Sequence, residues 1–274
     1  MTGISRRQLL TGTTTITAVF ICGISPVTAA GPIGKFRPGG NGGIGHSAFD
    51  AILRAYVRRD ANGYNTIDYR GLKAAGHGAL KSYLGTLQNA KPSTFSANEA
   101  HAYWINLYNA ATLDVVTDHY PVTSIKKINL GGGGLFGSGP WSRRFLSVEG
   151  TALSLDDIEH RIVRPIFSDP MSHYGLNCAS YSCPNLVTSA YTGSNLDGLL
   201  QRNARDYVNH ERGVSVRSGR ITSSKIYSWY AADFGGKPRL KQHWGAFAAP
   251  QHGAAIRAAS LGRFVYDWSL NDAA

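Results

Sequence analysis

The chain is short of cysteine, of acidic residues and of long apolar runs, and each shortage narrows what it can be. Of its three cysteines, Cys22 lies in the N-terminal segment, so Cys178 and Cys183 are the one pair available to a folded domain. Acidic residues number 17 against 28 lysines and arginines, a formal charge of +11. That balance suits an anionic surface such as a cell envelope, lipid headgroups or an acidic polymer. The basic residues are scattered and cluster only as pairs (Arg58-Arg59, Lys126-Lys127, Arg143-Arg144), so no nucleic-acid partner is expected. The apolar stretch Ile16 to Ile24 is rich in Thr and Gly and falls short of the roughly 20 residues a membrane span needs, so the mature chain should have no span.

What is present at the N-terminus is an export pattern. Ser5-Arg6-Arg7-Gln8-Leu9-Leu10 is a twin-arginine motif, followed by the moderately apolar stretch and by the small-residue end Val27-Thr28-Ala29-Ala30. Phe20 and Ile21 are too bulky to precede a lipidated Cys22. Residues 1–29 therefore read as a twin-arginine signal, and the mature protein is expected in the periplasm or outside the cell. Loss of Arg6 and Arg7 with the signal leaves a charge of +9. Residues 30–45, GPIGKFRPGGNGGIG and its preceding Ala30, read as a glycine-rich linker with too little apolar surface to order itself. Residues 46–274 read as a single globular domain.

Within that domain Phe49, Ile52, Leu53, Tyr56 and Val57 recur at helical spacing, and Asn62-Gly63 marks a turn. A second helical stretch covers 69–87, with a break near Gly76. Ser96-Ala97-Asn98-Glu99 is a capping box that starts a long helix ending before Pro121. Its interior holds Asn106 and Asn109, and Asn is a poor helix-interior residue because its amide competes with the backbone. Either the two fix a neighbouring loop by buried hydrogen bonds, or Asn106 orients an imidazole or donates to an oxyanion. The glycine run 130–141 lacks the Gly-Lys-Ser/Thr ending of a phosphate loop and reads as a flap. Hairpins are predicted at 145–153, around Glu149-Gly150, and at 214–221, around Ser218-Gly219. Ser154 caps a helix running to Phe167 with Pro165 inside it, further helices are expected over 196–208 and from Ser224, and a final strand carries Phe264, Tyr266 and Trp268. The mixture predicts a helix-rich α+β fold with short antiparallel strands.

The segment HYGLNCASYSCP brings His173, Cys178 and Cys183 within eleven residues. A spacing of five puts His173 and Cys178 on opposite faces of a strand and about 140° apart on a helix, so a direct pair needs a bend such as Gly175 allows. His160 is the alternative imidazole. The two cysteines are also five apart, and a disulfide needs Cα atoms within about 7 Å where an extended span covers about 17 Å, so residues 179–182 would have to turn. Four readings stay open: a disulfide, a thiolate nucleophile at Cys178, a zinc site with His173, Cys178, Cys183 and His160 or Asp169, and a buried pair without function. The zinc spacing fits least well, and no cofactor is expected.

Four segments, AYWINLYNAATL, LSLDDIEHRIVRP, HYGLNCASYSCPNL and KIYSWYAADFG, together with the closing YDWSLN, resemble the domain-of-unknown-function family 547, across roughly 49–271. The resemblance implies that Cys178, more than Cys183, carries whatever chemistry the family shares. It also allows a distant papain- or transglutaminase-like relation, and with it a thiol-dependent hydrolase or acyl transferase. In such an enzyme Cys178 attacks, His173 or His160 takes the proton, and Asn106 or a backbone amide holds the oxyanion. The alternative is a non-catalytic envelope-binding module stapled by a Cys178–Cys183 disulfide.

Overall fold

A computed structural model of the chain describes residues 33–131 and 139–273. The expected export signal and most of the glycine run 130–141 lie outside the described residues. In chain order the elements are α1 (Ser47–Tyr56), β1 (Val57–Arg59), β2 (Asn65–Ile67), α2 (Tyr69–Gly71), α3 (His77–Gln88), α4 (Ala97–His119), β3 (Leu146–Val148) and β4 (Thr151–Leu153). There follow α5 (Leu196–Asn209), β5 (Val214–Arg217), β6 (Arg220–Ser224), α6 (Ile226–Trp229), α7 (Leu240–Phe247), α8 (Pro250–Ala258) and β7 (Ser260–Val265). The expected α+β class, rich in helix with short strands, is the observed one.

The long helix α4 forms the centre. Ser96 accepts from the Glu99 amide at its start, the serine half of a capping box, while the Ser96 amide itself donates to the Gly42 carbonyl; from Ala100 to Val116 the helix is buried on every side, Asp114 alone being half-buried. A helix buried all round is one surrounded by other elements. Against it pack α3 and a wide-turned π-helix over Asp157–Phe167, and α1 packs in turn on α3. Ser154 and Asp157 cap that π-helix reciprocally, and Pro165 sits inside it. A second apolar cluster gathers Tyr207 and Val208 of α5, Ile221 of β6, Tyr227, and Trp244 of α7. The segment 174–186 runs along the seam: Tyr174 belongs to the second cluster, Leu176, Ala179 and Leu186 to the first.

Both expected hairpins form. Glu149 and Gly150 between β3 and β4, and Ser218 and Gly219 between β5 and β6, all have positive φ, the backbone of a tight two-residue hairpin turn. β7 pairs parallel to β6, which demands a crossover; α6, α7 and α8 provide it. Helices α7 and α8, and the pairing of β1 with β2 between Val57 and Ile67, add to the elements expected from the sequence.

The segment expected to be a free linker departs most from expectation. Ile33 donates to the Arg161 carbonyl, Gly39 and Gly42 donate to Ser93 and Thr94, and Phe36 is fully buried with its ring 4.9 Å from that of Trp104. Glycine here permits close approach: a Cβ on Gly40 would lie 2.1 Å from the Thr94 carbonyl oxygen. One aromatic side chain anchors a stretch whose composition otherwise reads as disordered. Phe36→Ala should therefore destabilise the domain by about 3–5 kcal/mol in denaturant unfolding, as for other buried aromatic truncations; a change below about 0.5 kcal/mol, typical of unconstrained surface sites, would show the segment is not part of the domain.

Candidate dithiol site

The cysteine turn is built from buried amides. Asn109 of α4 donates to the Gly175 carbonyl at 2.8 Å and accepts from the Asn177 amide at 2.8 Å. Asn177 in turn accepts from the Ala179 amide at 3.0 Å and donates to the Pro184 carbonyl at 2.7 Å, spanning the turn. Ala179 takes a left-handed backbone, φ 60°, and the Cys183 amide donates to the Ser180 carbonyl at 3.0 Å. These two bends fold the five-residue spacing back on itself. The sulfurs of Cys178 and Cys183 lie 2.7 Å apart, and the Cys178 amide donates to the Cys183 sulfur at 2.9 Å.

The C-terminal segment closes the other side. Tyr181 and Ser182 amides donate to the Ser269 and Asp267 carbonyls, Asn271 donates to the Ala179 carbonyl, and Ser182 Oγ accepts from the Asp267 amide. This pairing explains the closing YDWSLN: it delivers Tyr266, whose hydroxyl lies 3.1 Å from Cys178 Sγ and 2.8 Å from Ser180 Oγ. Ser180 Oγ is itself 3.3 Å from the Cys178 sulfur. Trp229 and Trp268 pack against the Tyr266 ring, with centroids at 4.8 and 4.6 Å.

The two thiols are unequal. Cys178 keeps part of its surface open, whereas Cys183 is buried. Burial pushes the Cys178 thiol up and Glu159 adds to this, but hydrogen bonds from Cys183, Ser180 and Tyr266 to its sulfur outweigh both and hold it below the ordinary thiol value. Cys183 is pushed well above that value, by burial first and then by the neighbouring Cys178. Tyr266 is also pushed far up by burial, so its proton stays available for donation. Of the two thiols, Cys178 is therefore the one that ionises first.

His173 is not at the sulfur. Its Nε2 lies 2.7 Å from Asp233 Oδ2, its ring stacks on Tyr230 at 4.3 Å, and Arg164 grips Asp233 through Nε at 2.6 Å and NH2 at 3.0 Å. Burial would raise the Asp233 carboxyl, but His173 and Arg164 hold it well below the usual carboxylate range. His160 accepts from Arg164 at 3.3 Å instead of meeting a thiol. Glu159, on the same π-helix, is buried; burial alone would raise it, yet His160, His173, the Tyr230 hydroxyl and Arg164 keep it ionised. Asn106 also differs from the expected oxyanion role: it donates to the Tyr191 carbonyl at 2.7 Å and accepts from the Tyr191 amide at 3.0 Å, the loop-fixing alternative. Asn109, three residues on, is the amide that serves the cysteines.

Nor, among the described residues, do the cysteines collect metal ligands. Among the described residues the group with metal-ligand spacing is His77, Asp114 and Asp118, far along the chain from the turn, and the Lys81 ammonium sits 3.0 Å from both carboxylates there.

Fold and site together define a helix-rich α+β domain with an asymmetric dithiol at the seam of its two apolar clusters. Residues 92–208 match the family model described as protein of unknown function, DUF547, and the chain is a DUF547 domain-containing protein. The match includes Asn109, Glu159, His173 and both cysteines; Arg212, Asp233 and Tyr266 lie beyond it. No curated protein and no solved structure matches the chain.

Two measurements test this geometry. The rate of Cys178 alkylation by iodoacetamide should rise with a midpoint below the ordinary thiol value of about 8.5, and Tyr266→Phe should move it up by about one to two pH units, since a hydrogen bond to a charged group contributes about 1.5–3 kcal/mol; an unmoved midpoint would remove Tyr266 from the site. Because the Asp233 carboxyl is depressed in the folded state, its stabilisation is present above the unfolded value of about 3.9 and is lost as pH falls towards the folded value. Asp233→Asn should thus be less stable than the parent at pH 6 and approach it near pH 2; equal differences at both would contradict the ion pair.

Proposed function

We propose that the protein is an exported thiol enzyme in which Cys178 is the nucleophile and Cys183 its resolving partner, acting on disulfides by thiol–disulfide exchange. The observation that carries this reading is the inequality of two sulfurs 2.7 Å apart: the partly accessible thiol is shifted down and the buried one is shifted well up. Thiolate attack needs no separate base, and exchange sites use this division of labour.

The Cys178 thiolate attacks one sulfur of the substrate disulfide, forming a mixed disulfide and releasing the other sulfur as a thiolate that takes up a proton from solvent. The charge on Cys178 is then gone. Since that charge helps keep Cys183 protonated, its removal lets Cys183 lose its proton. The Cys183 sulfur attacks Cys178 Sγ, the bond to the substrate breaks, and the second substrate sulfur leaves as a thiolate. Two electrons pass from the cysteines to the substrate, or the reverse when the protein is oxidised. The twin-arginine pattern supports an extracytoplasmic setting, where disulfides persist.

A second reading, the hydrolase or acyl transferase, is favoured by the hydroxyls of Ser180 and Tyr266, which could turn from the thiolate to a tetrahedral oxyanion once the sulfur is acylated. Its weakness is the leaving group, for which neither His173 nor His160 stands at the sulfur to deliver a proton. The Cys178–Cys183 bridge as a mere staple is the third outcome.

With oxidised glutathione, Cys183→Ala should accumulate a Cys178–glutathione adduct that the parent protein clears, and Cys178→Ala should form none. An activated ester turned over equally by the parent and Cys183→Ala would favour acyl transfer. A parent protein that stays bridged and unreactive under reducing glutathione would leave only the staple.

A further inference from the structure

The exchange cycle requires Cys183, the buried thiol, to lose a proton at the resolving step, and the surroundings of that sulfur are nearly devoid of charge. Facing it are Cys178, Tyr64, Tyr69, Tyr108, Tyr207 and Tyr266, and burial keeps each of these tyrosines neutral. The remaining group is a cation. Arg212, 5% exposed, sits beneath the turn. Its guanidinium donates through NH2 to Asn185 Oδ1 at 2.6 Å and through NH1 to the Tyr181 carbonyl at 3.5 Å, two residues to either side of Cys183. Its flat faces rest on Tyr64 at 4.3 Å and Tyr207 at 5.4 Å. Tyr207 completes the cradle by donating to the Ser182 carbonyl at 2.6 Å.

Every partner of this buried cation is neutral. Among the described residues its Nε has no hydrogen-bond partner and no carboxylate pairs with it. Buried charges are normally paired, because leaving water costs several kcal/mol per ion. The acidic side chains nearby serve other groups: Asp60 and Glu211 act on His210, and Asp267 acts on Tyr64. A guanidinium without an anion, bracketing a thiol that must become one, is an unbalanced pair only in the resting state.

We infer that Arg212 is the electrostatic positioning residue of the resolving step: its buried, uncompensated cation is the counter-ion that the Cys183 thiolate acquires when Cys178 is held in a mixed disulfide. When the pair ionises, the proton stays on Cys183 because Cys178 carries the charge beside it. Once Cys178 is bonded to substrate, Arg212, which acts electrostatically on Cys183 and bonds residues 181 and 185, is the cation left to act on it, and an opposite charge favours the ionised thiol. The inference rests on the exchange reading and assigns to it the residue that makes the buried thiol reactive.

The test uses the full chain carrying Cys22→Ser, reduced and then mixed with the aromatic disulfide 5,5′-dithiobis(2-nitrobenzoate). Attack by Cys178 releases one thionitrobenzoate; resolution by Cys183 releases a second from the same site. The pH midpoint of the second release should rise by about one unit in Arg212→Gln, a tenfold slowing below the midpoint. The first release should keep its profile, and Arg212→Lys, which retains the charge but not the fork to Asn185 and Tyr181, should stay near the parent midpoint. If Arg212→Gln does not fold, Arg212→Met, which leaves no polar tip to satisfy, reads the same shift. An equal midpoint in the parent and either neutral variant overturns the inference, as does a lysine variant that behaves like the neutral ones. Absence of a second release in the parent sinks the exchange reading itself, and so separates the two failures.

Discussion

The site depends on one constraint: a buried amide relay that forces a five-residue spacing to close on itself. Asn109 reaches from the central helix to Gly175 and Asn177, and Asn177 reaches across to Ala179 and Pro184. These polar groups are deep in the protein, where a hydrogen bond is strong and a missing partner is costly. Without the relay nothing would compel Ala179 into a left-handed backbone that its Cβ disfavours, and the sulfurs would separate. The central helix tolerates Asn in its interior because the amide is needed elsewhere.

Inequality of the two thiols follows from where that turn lies. It runs along the seam between two apolar clusters, so Cys183 falls among tyrosines while Cys178 stays at the edge, where the C-terminal segment brings Tyr266 and the turn itself supplies Ser180. Ser180 Oγ and the Tyr266 hydroxyl both lie within hydrogen-bond reach of the Cys178 sulfur and of each other. Beside this lies a second polar layer, Glu159, His173, Arg164 and Asp233, in which His173 and Arg164 both bond Asp233. That bond to Asp233 explains why the histidine five residues before Cys178 does not serve the cysteine.

Much of this was legible in the sequence, and the rest failed for identifiable reasons. Capping boxes at Ser96 and Ser154 and the turn pairs Glu149-Gly150 and Ser218-Gly219 are local signals, so their elements were predictable. The need for a turn between the cysteines followed from distance alone, and so did the difficulty of a His173–Cys178 pair. Tyr266 and Arg212 were not legible as site residues, because they reach the turn from 88 and 27–31 positions away in the chain, with no periodicity to mark them. The glycine-rich stretch was misread because composition averages over a window, whereas a single Phe36 against Trp104 decides the outcome. Asn106 and Asn109 looked alike in sequence; only the fold shows that one faces Tyr191 and the other the cysteine turn.

The central claim is that Cys178 and Cys183 interconvert between an unequal dithiol and a disulfide without large rearrangement. Equilibrating the full chain bearing Cys22→Ser in buffers of graded reduced-to-oxidised glutathione, with acid quenching and intact mass measurement, tests it most directly. The account predicts one two-electron transition between the reduced chain and a form two mass units lighter, with both populated in the graded series. A chain that carries a stable glutathione adduct, or that shows no transition at any ratio, would contradict it.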